Sequence, residues 1–137
     1  MSRFTQVSAW AWPLALVFAL PGWACSAPAP AATTVTVTSE HGLCDADVRF
    51  VGPVERGDNE LLVELRPLDV AVDAELLAVD ASMAAHAHEA HAASIEATAS
   101  GFRVAGLDLF MTGRWQLELA VALADQTDSV SLPVDVP

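Results

Sequence analysis

The chain has 137 residues, of which 18 are acidic and six basic, giving a formal net charge of −12. So acidic a surface repels nucleic acid and anionic lipid headgroups, and neither is expected as a direct partner. The length allows one small domain besides a leader.

The opening stretch, MSRFTQVSAWAWPLALVFALPGWAC, places Arg3 ahead of an apolar run that Pro21 and Gly22 break. That is the layout of a secretory signal peptide, and residues 1–24 are read as one. The run falls short of the about 20 apolar residues that a membrane span needs, which sets an uncleaved anchor second to export. The end of the run, LPGWACS, resembles a bacterial lipoprotein signal in which Cys25 is lipidated. Ala24 fits that pattern, while Gly22 and Trp23 depart from it. Cleavage by ordinary signal peptidase, after Ala24 or within SAPAPAA, is the alternative. Residues 25–38 read as an extended tether rich in alanine, proline and threonine, and residues 39–137 as the folded domain. The two cysteines follow the same fork. With Cys25 lipidated, Cys44 is a lone buried thiol; otherwise a Cys25–Cys44 disulfide is open to it.

Through the domain the dominant period is two. LCDADVRFV sets Cys44, Ala46, Val48 and Phe50 against Asp45, Asp47 and Arg49. ELLVELR and AELLAVD follow, then two short runs in GFRVAGLDLF on either side of Gly106. RWQLELAVAL puts Trp115, Leu117, Leu119, Val121 and Leu123 on one face, and SVSLPVDV closes the pattern. Pro133 within the last run predicts a sheet edge or a bulge there. About seven half-buried antiparallel strands in succession predict an all-β fold, a sandwich or small barrel. Helical periodicity is confined to the alanine-rich SMAAHAHEAHAA stretch.

The segments GDNELLVEL, VDAELLAVDASMAAHAHEAH, GFRVAGLDLFMTGRWQLELAV and DSVSLPVDV resemble the YtkA-like family of small exported bacterial proteins, related in architecture to the FixH proteins. The resemblance runs over residues 40–136. Its strongest part is Phe102, Val104, Gly106, Leu107, Leu109, Met111, Gly113, Trp115, Leu117 and Leu119 in alternation. It implies an immunoglobulin-like β-sandwich outside the cytoplasmic membrane, on the periplasmic side of the bacterial envelope; the lipoprotein-like signal would add a membrane anchor through a lipid on Cys25. The family places a proline between a methionine and a histidine after its middle strand; here Met83 and the histidines are present and alanine stands in for the proline. FixH proteins belong to systems linked to copper supply for respiratory oxidases; the resemblance itself implies the fold and carries over no biochemical role.

His86, His88 and His91 lie within six residues of one another, just after Met83. In an extended chain His86 and His88 point the same way, roughly 6.5–7 Å apart, close enough to share one ion. In a helical turn Met83 would join His86, and His88 would join His91. The spacing leaves both open. A thioether is soft and selects Cu(I), whereas imidazole takes copper and zinc alike. Met111, in the FMTGRW turn, is a second soft donor at what a sandwich would make the same end. The expected metal ligands are therefore Met83, His86, His88, His91 and Met111. Against this stand the bland readings: Met111 as a plug for the core, Met83 as the last inward residue of its strand, and a soluble histidine-bearing spacer. His41 reads as a surface residue and Trp115 as core.

No nucleophile elbow, HExxH, CxxC or phosphate-binding glycine loop is present, so no enzyme is expected. Two function classes remain: a copper-binding carrier or sensor, and a metal-free interaction module that docks on an envelope or inner-membrane protein.

Overall fold

A computed structural model describes residues 33–69 and 71–137. The signal peptide, the lipidation of Cys25 and most of the tether lie outside the described residues. What is described is all β, in nine strands and two antiparallel sheets. β1 (Thr34–Thr38), β2 (Cys44–Phe50), β3 (Gly57–Pro67), β7 (Gly101–Leu109) and β6 (Ser94–Thr98) form the first, in the order β1-β2-β3-β7-β6. β5 (His88–His91), β4 (Ala74–Met83), β8 (Gly113–Leu123) and β9 (Gln126–Val136) form the second, in the order β5-β4-β8-β9. Leaving out β1, these are the two sheets of an immunoglobulin sandwich.

The alternation read from the sequence is the cause of this arrangement. Along β8, Trp115, Leu117, Leu119, Val121 and Leu123 are all buried, while Arg114, Gln116 and Glu118 face outward. β9 repeats the pattern in register: Trp115 lies opposite Val134, Leu117 opposite Leu132 and Leu119 opposite Val130. Val48, Leu61, Val63 and Val104 answer them from the other sheet. Each row buries one side chain in two and leaves the other in water, as a two-layer core requires. Pro133 lies on β9, the outer strand of its sheet, where a missing backbone donor costs no ladder bond.

Four details differ from the strand-by-strand expectation. GFRVAGLDLF is one strand, not two. Leu107 pairs with Asn59 and Val104 with Leu61, so Ala105 and Gly106 together face Glu60 in a bulge. Gly106 takes φ +70, and a Cβ there would lie 2.5 Å from that of Ala93. A glycine that looked like a break between strands thus lets one strand turn its phase and continue. β1 lies inside the segment read as tether, paired with β2 through Thr34↔Arg49 to Thr38↔Asp45. β6 is a short edge strand that the period-two reading passed over, and the histidine-bearing segment forms β5 where a helical turn had been left open.

The register defines two ends of the sandwich. Leu109 pairs with Gly57, Gly113 with Val136 and Met83 with His88, so loops 51–56, 84–87 and 110–112 share one end, the tip. Turns 39–43 and 124–125 share the other.

Candidate metal centre

β4 and β5 form a hairpin whose last ladder pair is Met83↔His88. The four residues between them turn through a hydrogen bond from the His86 amide to the Met83 carbonyl (3.0 Å), and Ala87 takes a positive φ of 51°. This is the usual way a four-residue hairpin loop is built, on one tight turn followed by a left-handed residue. It puts His86 in the loop and His88 on the strand, with their rings stacked at a centroid distance of 6.0 Å and an interplanar angle of 27°.

Directly opposed residues of an antiparallel pair share a face, so His88 and Met83 point the same way. Met83 faces inward and is only 3% exposed, with its Cε methyl 3.3 Å from where a Cβ on Gly113 would stand. Met111, half-buried, packs on the edge of the same core. The carbonyl of Met111 accepts a hydrogen bond from the Trp115 indole Nε1–H at 2.9 Å. The tip therefore gathers an exposed His86, a half-buried His88, a half-buried Met111 and a buried Met83 at one end of the sandwich.

His91 does not join this group. It is three residues from His88 along a strand, an odd offset that sends it to the outer face of the sheet. There its Nδ1 lies 2.6 Å from Asp80 Oδ1, and that hydrogen bond, with the carboxylate's charge, holds the imidazole above its ordinary range. Among the described residues no three His, Cys, Asp or Glu side chains converge to hold an ion. A centre at the tip has to draw on sulfur as well as nitrogen.

The remaining titratable cluster belongs to the opposite end. Asp128 is buried on β9; its Oδ1 lies 2.9 Å from His41 Nδ1 and accepts from the amides of His41 (3.1 Å) and Ser129 (2.8 Å). Burial pushes this carboxyl up. Hydrogen bonds from the Ser39 hydroxyl, the His41 ring and the two amides outweigh it and hold the group well below the usual carboxylate range. The same contact with Asp128, first as hydrogen bond and then as charge, raises His41. The sequence reading placed His41 on the surface; its ring is 68% exposed, yet it is held in place by this contact. Cys44 is a buried free thiol at this end, pushed up by burial, which disfavours the thiolate that metals take.

Sequence reasoning missed Phe110. It follows the inward Leu107 and Leu109 out of phase, is 39% exposed, and sets its ring edge-on to His88 at 5.3 Å and to Trp115 at 5.4 Å. A large apolar residue just past the end of a strand, out of step with it, was the available signal. Comparison of the chain with protein-family models, curated proteins and solved structures gives no match.

Proposed function

We propose that the protein is an exported YtkA-like domain that holds a single copper ion as Cu(I) at its tip. His86 and His88 are the imidazole ligands, the thioethers of Met83 and Met111 supply the soft donors, and the domain serves as a carrier or sensor in the cell envelope, tethered through Cys25. The observation that carries the reading is the side-by-side pair of His86 and His88. Two imidazoles sharing one ion at metal–nitrogen distances of about 2.0–2.1 Å have ring centres no more than about 6–6.5 Å apart, and these are 6.0 Å apart. Binding would rotate the near-parallel rings so that an in-plane nitrogen of each meets the ion. Every proposed donor is uncharged. Such a set suits a soft monovalent cation better than a hard divalent one, which asks for carboxylate or carbonyl oxygen. His91 is left out of the set because it faces the other side of the sheet.

The test is a titration of the full-length chain in detergent with Cu(I), and separately with Cu(II), against a competing chelator. One equivalent of Cu(I) is expected, with affinity reduced at least tenfold by His86→Ala and by His88→Ala and weakened by acidification, since protons compete for imidazole nitrogen. Unchanged affinity after Met83→Ala, His86→Ala and His88→Ala removes the tip from the function. The exposed Phe110 beside the imidazoles favours a second reading, a metal-free docking module. That reading expects no metal stoichiometry, and an envelope partner crosslinked as well by the His86→Ala/His88→Ala protein as by the wild type.

A further inference from the structure

Four rings run without interruption from the loop surface into the core. His86 stacks on His88 at 6.0 Å, His88 meets Phe110 at 5.3 Å with an angle of 73°, and Phe110 meets Trp115 at 5.4 Å with an angle of 80°. The last two contacts are edge-to-face, the arrangement that aromatic quadrupoles favour. The innermost ring cannot move: Trp115 is fully buried and its Nε1–H is tied to the Met111 carbonyl. The fixed indole therefore holds Phe110, and Phe110 in turn holds one side of the His88 imidazole. An exposed phenyl ring at a turn gains little from burial. Here it spends its position walling one flank of the imidazole pair with a surface that offers an ion neither ligand nor water.

From this we infer that Phe110 is the specificity-determining residue of the tip, a screen that biases it toward Cu(I) and against Zn(II); the inference rests on the copper reading above. Cu(I) is satisfied by few soft donors. Zn(II) takes four ligands in a tetrahedron; the tip offers it two imidazoles and thioethers that it does not favour, so it completes the shell with water. A phenyl ring over one flank denies it that water, whereas Cu(I), served by the thioethers as well as the imidazoles, needs none. The same contact fixes the orientation of His88, so that the loss of the ring loosens the site for Cu(I) while opening it for Zn(II).

The experiment compares Cu(I) and Zn(II) affinities, by chelator competition on the full-length chain, for the wild type, Phe110→Ala, Phe110→Leu and Phe110→Trp. Phe110→Ala is expected to lower the ratio of Cu(I) to Zn(II) affinity about tenfold, through tighter Zn(II) binding as well as weaker Cu(I) binding. Phe110→Leu keeps the apolar bulk and so the fold of the turn, and is expected to fall between. Phe110→Trp, which restores a ring, is expected to recover the wild-type ratio. Equal losses for both ions in Phe110→Ala and Phe110→Leu mean a structural role only and overturn the screen while leaving the copper site standing. A wild-type protein that binds no Cu(I) removes the copper reading itself, and the screen with it.

Discussion

The two ends of the sandwich treat histidine in opposite ways. At the end formed by turns 39–43 and 124–125, His41 meets a buried carboxylate that also receives backbone amides and a serine hydroxyl. At the tip, His86 stacks on His88 and His88 meets the Phe110 ring, and among the described residues neither imidazole has a hydrogen-bond partner. The first arrangement is closed: its groups satisfy one another and tie the β1–β2 turn to β9 through Glu40 N–H to the Ser129 carbonyl at 2.8 Å. The second is open, with ring nitrogens free to take a ligand. A histidine that is structural and one that is available to chemistry differ here in what stands behind the ring, not in exposure.

Breaking the closed end should cost most. Asp128→Ala strips the acceptor from the buried amides of its turn and is expected to destabilise the domain by about 1–3 kcal/mol, the usual cost of stranded buried donors. Chemical denaturation measures it, and a loss as small as that of a surface substitution would erase the distinction between the ends. A smaller effect should follow pH. Because His41 is raised above its ordinary 6.5 in the folded protein, its pairing with Asp128 is fully present below that value and is lost as pH rises through the raised one. The melting temperatures of wild type and His41→Gln are therefore expected to differ most below pH 6.5 and to converge as pH rises through the raised value, whereas a constant gap would mean the pair is not titrating. The smallest effect belongs to the open end. His86→Ala should change stability in the absence of metal by no more than about 0.5 kcal/mol, as for an exposed loop position that supports nothing, and His88→Ala by little more, the loss of one edge contact with Phe110. A larger loss would make those rings part of the scaffold.

The sandwich was legible because most strands alternate over most of their length. β2, β8 and β9 bury every second residue almost throughout. β3 does so from Asn59 to Val63, and β4 does so from Val79 to Met83, after a bulge between Leu76 and Ala78. A period of two survives any rearrangement of neighbours. β7 was split because a glycine in a bulge and a glycine in a turn look alike until Asn59 and Leu61 show the shifted pairing. β1 was hidden by the proline- and alanine-rich stretch beside it, although TVTVT alternates well. At the tip, the donor types could be read from the sequence and their arrangement could not. Spacing allowed strand or helix, and the choice was made by a cross-strand partner, Met83 opposite His88, that local sequence does not contain. With the strand given, the exclusion of His91 follows at once from its odd offset. Asp128 went unnoticed as the partner of His41 because it lies 87 residues away in sequence, and Asp80 as that of His91 because only the β4–β5 register sets the two opposite each other.

The pairing of Val136 with Gly113 bears on how the tip should be handled at the bench. Whatever continues the chain past that residue emerges at the same end of the sandwich as the imidazoles, three strands and about 14 Å across the sheet from β5. A polyhistidine purification tag placed there would set a second, stronger chelator within reach of the one being measured. Affinity handles belong at the amino-terminal side or must be removed before any titration, and an apparent stoichiometry above one from a tagged sample would report the tag.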